Sequence, residues 1–298
     1  MAAGLDTAAA HAAPQVTWLQ SVRWRRRAGH ALLHGVLIAL GFTFLAPLLW
    51  VLSTSLKAPG QVFNVPVEWL PDPPFWSNYR EIFEILPLTS YLRSSAVVTV
   101  LGTMGSVVSS LLVGYSLARL RWPGREIVFT VLLATMMLPG IVTLVPAFIL
   151  FKYLGWLDTW YPLWVPSWFG TAFYIFLTRQ FMLGLPYELE EAARVDGANS
   201  LRILLQVITP LCGPAVTTVA IFSFLHHYND LMWPLIILSD NNKWTVPLGL
   251  LFYQGRFGNF WHLVMAASTV AILPVVILFF VAQKRFIQGI QFTGLAGR

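Results

Sequence analysis

The chain alternates long apolar windows with short polar interruptions. Six windows, at 31–53, 94–117, 127–150, 161–181, 211–237 and 262–283, each reach the roughly 20 residues a helix needs to cross a hydrocarbon core of about 30 Å. The third carries Pro139, Gly140 and Pro146, and the fifth carries Gly213, Pro214 and Pro234. A membrane helix tolerates such residues when neighbouring helices satisfy the freed backbone groups, so the breaks favour a packed bundle over isolated spans. The pattern predicts an all-α integral membrane protein with six transmembrane helices.

Two polar interruptions have structure of their own. The segment 54–92 contains Pro66, Pro71, Pro73 and Pro74, then a helical stretch from Ser77 to Glu84. Ser77 is the expected N-cap, and Tyr79, Ile82, Phe83 and Ile85 form a one-sided stripe for the membrane or a partner. The second interruption, residues 186–200, is a charged island holding Glu188, Glu190, Glu191 and Asp196. Carboxylates at that density do not face lipid. Pro186 suits a first helical position, and the early glutamates complement the helix dipole. Leu189, Ala192, Ala193 and Val195 give one apolar side. Asp196-Gly197 is a turn signal, and Ser200 is the expected cap of a second helix from Leu201 to Ile208. Ala192 and Ala193 permit close approach by a partner's groove, while Glu191 and Arg194 remain for polar contacts. On pattern alone, an ordinary charged surface helix satisfies the same residues.

Composition agrees with the windows. Hydrophobic residues make up 57% and charged residues 11% of the chain, against roughly 25% charged in soluble domains, and the mean hydropathy is +0.67. Trp50, Trp122, Trp160, Trp233 and Trp261 lie near window edges, as residues of an interfacial belt do. With the first tail inside, 13 of the 19 basic residues fall on the cytoplasmic side and 6 outside, which follows the positive-inside rule. Both termini are then cytoplasmic, and the island lies on the same side as a cytoplasmic helix between the fourth and fifth spans. The net charge of +6 is accounted for by anionic inner-leaflet lipid, without nucleic acid. The organisation read from this is a disordered basic tail at 1–29, a membrane domain at 30–285 with the island loop at 186–209, and a cytoplasmic tail at 286–298. The first window exceeds the 7–15 residues of a signal-peptide core, so it reads as an uncleaved signal-anchor. The single cysteine, Cys212, excludes an intramolecular disulfide and sits in an apolar run with nothing to activate its thiol.

Candidate chemistry is sparse. Tyr228, Asn229 and Asp230 form a polar cluster inside the fifth window, and polar groups within a span are functional candidates for a solute path. Their alternative role is an interhelical hydrogen bond that holds the bundle, worth about 0.6 kcal/mol. His226 and His227 read as packing or polar contacts, since no Cys or second carboxylate stands at metal-ligand spacing. Trp160, Trp164 and Trp168 recur every four residues; stacking on sugar rings is one use of such a row, and a packed or interfacial stripe is the reading preferred. No phosphate-binding Gly-x-x-x-x-Gly-Lys-Ser/Thr loop occurs, so energy has to come from another chain. The absence of internal repeats argues against an ion-coupled secondary transporter, and no carboxylate or histidine constellation suggests an enzyme.

Glu191-Ala192-Ala193, Asp196-Gly197-Ala198 and Ile208-Thr209-Pro210-Leu211 resemble the EAA loop of ABC importer permeases. Tyr115 to Gly124, Met137 to Pro146, Tyr228 to Leu235, Thr245 to Gly249 and Gln283 to Gly289 are similar to further signatures of the carbohydrate-uptake branch. Departures are Thr209 where Leu is usual and Tyr228 where Trp is common. The resemblance implies a permease that does no bond chemistry and binds no cofactor, ATP and Mg being held by the ATPase. Its implied partners are a second homologous permease, two copies of the ATPase, an extracytoplasmic solute-binding protein and membrane lipid, in a bacterial inner membrane. It assigns Glu191, Ala192, Ala193, Arg194, Asp196 and Gly197 to ATPase coupling, and the loop Asp240 to Asn259 to the binding protein. Sugar, oligosaccharide and glycerol-phosphate importers share these motifs.

Overall fold

A computed structural model describes residues 15–256 and 260–295, with side chains placed for 29–253 and 260–283. Residues 1–14 of the predicted tail and the last three residues lie outside the described part. The elements are all helical among the described residues: α1 Gln15–Ser55, α2 Ser77–Ile85, α3 Leu88–Arg119, α4 Arg125–Thr135, α5 Gly140–Tyr153, α6 Tyr161–Trp164, α7 Ala172–Leu183, α8 Glu188–Val195, α9 Ser200–Ile203, α10 Thr209–Leu211, α11 Gly213–Asn229, α12 Met232–Ile237, α13 Val246–Arg256 and α14 Trp261–Leu295. The chain divides into two compact units, Met1–Ser53 and Thr54–Arg298. In the first, α1 is continuous across Pro47.

Only three described helices are single elements long and apolar enough to cross a membrane, covering Gly29–Ser55, Leu88–Arg119 and Trp261–Gln283, or up to five spans if two bent pairs each count as one. The six windows are therefore not six unbroken helices, and prolines and glycines account for the breaks. The third window bends by 101° between α4 and α5, where Pro139 sits extended at φ −60° and ψ 133° and has no N–H to continue a helix. The fourth window is not one helix. Pro162 and Pro166 divide it into α6 and a 3-10 turn, Val165–Phe169, and Gly170, at φ +104°, separates that turn from α7, whose 12 residues span only about 18 Å. At the entry to the fifth window the chain bends by 83°, between Ser200–Leu211 and Gly213–Ile237. A π-turn at Leu204–Ile208 leads into Pro210 there, and α11 ends where Asp230 turns extended.

α3 is the centre of the second unit and packs against α7, α11 and the 3-10 turn. Close approach comes from small residues: a Cβ at Gly102 would overlap the His227 ring, and one at Gly105 the Trp168 indole. A polar seam follows the same contact. Ser223 Oγ donates to Ser106 Oγ at 2.9 Å, and His227 lies 2.8 Å from Ser167 Oγ and 2.7 Å from the Ser223 carbonyl. The histidine is thus a packed, hydrogen-bonded residue, and no metal-ligating cluster occurs among the described residues.

The stripe on α2 is divided: Ile82 faces inward with Tyr79 half-buried beside it, while Phe83 and Ile85 stay exposed. Ile82 is fully buried in a cluster with Leu88, Tyr91, Val246, Tyr253, Leu263 and Ala267, a burial that contributes about 2 kcal/mol. Asn78 Nδ2 donates to the Ser55 and Lys57 carbonyls at 2.8 and 2.9 Å. Ser77 is the first helical residue rather than the cap, and Trp76 precedes it without a side-chain capping bond.

Candidate functional site

The charged island folds as the predicted helix, turn and helix. Pro186 lies two residues before α8, whose first turn holds Glu188, Glu190 and Glu191. The turn closes through Asp196 N to Ala192 O at 3.1 Å, Gly197 N to Arg194 O at 3.0 Å and Ala198 N to Ala193 O at 2.9 Å. Gly197 adopts φ +79°, a left-handed conformation that costs side-chain-bearing residues about 1–2 kcal/mol. Asn199, and not Ser200, caps the second helix: its Oδ1 accepts from Arg202 N at 2.9 Å.

The way α8 faces is the informative feature. Its expected apolar side points away from the protein: Val195 is 87% and Leu189 41% exposed, and Ala192 is exposed with them. Glu191, Arg194, Asp196 and Gly197 are exposed too. Ala193 is half-buried and packs with Ala198 on the cluster of Leu111, Tyr115, Met182, Ile203 and Cys212. The inward residue is a carboxylate, Glu190, 1% exposed. Glu190 Oε1 lies 3.2 Å from Arg119 Nε at the end of α3, with both side chains out of solvent. Arg194 approaches its other oxygen at 3.6 Å, and the Tyr115 hydroxyl donates to that oxygen at 3.5 Å. Arg119 also donates through Nη2 to the Met182 carbonyl and to the Leu185 carbonyl at 2.6 Å, and its guanidinium lies 4.2 Å from the centre of the Tyr187 ring.

Sequence reasoning missed both Glu190 and Arg119. The signal was helical phase: at 100° per residue Glu190 shares a face with Ala193, whereas Glu191 is turned away from it. A second guanidinium behaves alike. Arg179 of α7 donates to Leu117 O at 3.3 Å, approaches Glu126 of α4 at 3.7 Å and lies over the Phe129 ring at 3.7 Å.

Tyr228, Asn229 and Asp230 point to different partners. The Tyr228 hydroxyl donates to the Ala271 carbonyl of α14 at 2.6 Å. Asn229 is exposed and donates to Leu225 O at 3.0 Å. Asp230 is half-buried, and its Oδ1 accepts from Trp233 N at 3.3 Å at the start of α12.

At the other end of α3 two loops are clamped together. Asp158, in a left-handed conformation at φ +56°, accepts from the Ser239 and Asp240 amides at 2.9 Å each. Lys243 Nζ donates to Asp158 Oδ2 at 2.7 Å and to its carbonyl at 2.9 Å. The hydrogen bond from Lys243 is the main cause holding the Asp158 carboxyl below its ordinary value, with the two amides assisting. The same bond is the main cause raising Lys243. Trp160 Nε1 donates to Lys243 O at 2.9 Å, and the Tyr91 hydroxyl to Asn241. The last residues of the loop assigned to the binding protein, 257–259, lie outside the described part.

Broken spans around one long central helix define a polytopic helical membrane protein, with an amphipathic helix whose apolar face is left open. The family described as "Binding-protein-dependent transport system inner membrane component" matches residues 110–292, more than half of the chain, and the protein belongs to that family. It is an inner-membrane transport permease. It is 33% identical over 254 residues to the sulfoquinovosyl glycerol transport system permease protein of Agrobacterium fabrum, covering 85% of this chain and 89% of the relative. It is 31% identical over 269 residues to the arabinooligosaccharides transport system permease protein of Halalkalibacterium halodurans, covering 88% and 96%. Among solved structures it is similar to a chain of a bacterial ABC transporter involved in the import of the acidic polysaccharide alginate. There the TM-score is 0.76 at 25% identity, covering 88% of this chain and 98% of that one.

Proposed function

We propose that this permease takes in a sugar, oligosaccharide or sugar derivative by alternating access, driven by a separate cytoplasmic ATPase that engages α8. The observation that carries the reading is the inverted face of that helix, with Leu189, Ala192 and Val195 open while Glu190 is buried. An apolar face kept open beside charged residues marks an interaction surface. Glu191 and Arg194 are its polar anchors, Ala192 its close-packing surface, with Ala193 at the inner edge where the helix rests on the bundle, and Asp196 and Gly197 the turn that sets the angle to α9. The relatives named for sulfoquinovosyl glycerol, arabinooligosaccharides and alginate support the solute class.

In this reading the spans number six, each broken window serving as one, with both termini cytoplasmic. A second, homologous permease completes the pathway, two ATPase copies bind ATP and Mg, this chain binds no cofactor, and an extracytoplasmic binding protein delivers the solute. Tyr228, Asn229 and Asp230 mark the solute path, with Asn229 as its exposed member. The test is the full complex in liposomes. Solute-loaded binding protein is expected to stimulate ATP hydrolysis, and Val195→Asp to release the ATPase on purification. Hydrolysis indifferent to the binding protein, or an ATPase retained at wild-type level by Val195→Asp, would sink the reading.

A further inference from the structure

The exposed face of α8 receives a force; its buried face must pass it on. We propose that Arg119 and Glu190 are the positioning pair that transmits movement of α8 to the spans, with Arg119 as the junction of three elements. This rests on the reading that an ATPase engages α8.

Four observations converge on Arg119. It is the last residue of α3, the 32-residue helix around which the unit packs. Its guanidinium faces Glu190 of α8 at 3.2 Å. One of its nitrogens donates to the carbonyls of Met182 and Leu185, at and just beyond the end of α7. It also lies over the ring of Tyr187, the residue immediately before α8. A planar guanidinium can hold a carboxylate and two carbonyls in a fixed relative geometry, which a lysine ammonium on a flexible stem does not. Replacing a buried ion pair by a well-packed apolar pair of the same volume is often neutral or stabilising, so the role assigned here to Arg119 and Glu190 is to fix the register of α8 against α3 rather than to add stability. Pushing α8 therefore displaces the ends of α3 and α7 together. Arg179 extends the linkage from α7 to α4 through Leu117, Glu126 and Phe129. Glu191, by contrast, is exposed and forms no ion pair among the described residues, so the two adjacent glutamates divide the work: Glu191 faces the partner and Glu190 faces the bundle.

The test uses the complete transporter in liposomes and measures solute moved per ATP hydrolysed. Arg119→Met/Glu190→Met removes both charges together, so neither is left buried alone. It is expected to retain the ATPase on purification and to hydrolyse ATP, while transport per ATP falls roughly 2- to 30-fold, the range for residues that carry coupling between sites. Arg119→Lys keeps the charge and the fold but loses the fork, and is expected to give a smaller fall in the same ratio with ATPase retention unchanged. A wild-type ratio in either variant overturns the proposal. Loss of the ATPase from Arg119→Lys also overturns it, because the pair would then serve docking. An ATPase that stays bound through Val195→Asp refutes the docking reading instead.

Discussion

Two ion pairs lie near opposite ends of α3, and they are built in opposite ways. Arg119 and Glu190 stand 3.2 Å apart with side chains 0% and 2% exposed. Lys243 and Asp158 stand 2.7 Å apart with side chains 38% and 35% exposed. Tyr91, which binds the second loop through Asn241, and Arg119 are separated by roughly 42 Å of helix. The shorter contact is the wetter one, so distance alone does not rank them. Water solvates either partner of the exposed pair once the other is gone, whereas a charge left buried keeps only neutral or more distant partners and no solvent. The buried end is thus rigid by necessity, and the exposed end is a clasp that can be opened at small cost.

The largest expected effect breaks the comparison at its buried end. Glu190→Ala should lower stability by about 3–5 kcal/mol, since it leaves the Arg119 guanidinium without its carboxylate. Thermal unfolding in detergent measures it, and the matched Asp158→Ala variant should fall far less. Equal losses would mean that burial does not separate the two ends. The next effect tests the helix that joins them. Gly105→Ala drives a Cβ into the Trp168 indole, which is fixed by its bond to Leu101 O at 3.1 Å, and overpacking of this kind costs about 1–3 kcal/mol. Gly140→Ala, where a Cβ would meet nothing, is the control.

These two ends were not equally legible in the sequence. The window at 94–117 found α3, and the one at 262–283 found the membrane part of α14, because uninterrupted apolar length is read directly. The window at 161–181 was misread as one helix because an apolarity scan does not weigh Pro162, Pro166 and Gly170 as breaks. The island's punctuation gave α8 and α9, with the cap displaced by one residue to Asn199. Glu190 was hidden because three glutamates in one turn look alike in composition, and its partner belongs to another element. The Asp158 clamp was hidden for the same reason: the pair closes only when two distant loops meet.

Gly197→Ala sharpens the comparison on the coupling side without touching either pair. A Cβ there meets no neighbour, so the cost is conformational alone, about 1–2 kcal/mol for a left-handed φ. If the angle between α8 and α9 matters for docking, ATPase retention should fall with stability; unchanged retention would confine the turn to folding.

The smallest effect belongs to the exposed clasp, and pH is the way to open it. Asp158 is held below its ordinary value of 3.8 in the folded protein, so its contribution is present above that value and lost as pH falls through the lower folded one. Lys243 is held above its ordinary 10.5, so its contribution is present below that value and lost as pH rises through the higher folded one. Between these limits the clasp is insensitive to pH, and acid is the side that reaches the amides. On acidification below about pH 4, hydrogen exchange at Ser239 and Asp240, corrected for its intrinsic pH dependence, should accelerate as Asp158 stops accepting from them. Asp158→Asn should show the faster exchange already at neutral pH and lose the acid step. If Asp158→Asn keeps slow exchange at neutral pH, the loops are held by Trp160 and Tyr91 rather than by charge, and the two ends of α3 differ in burial but not in what an ion pair does there.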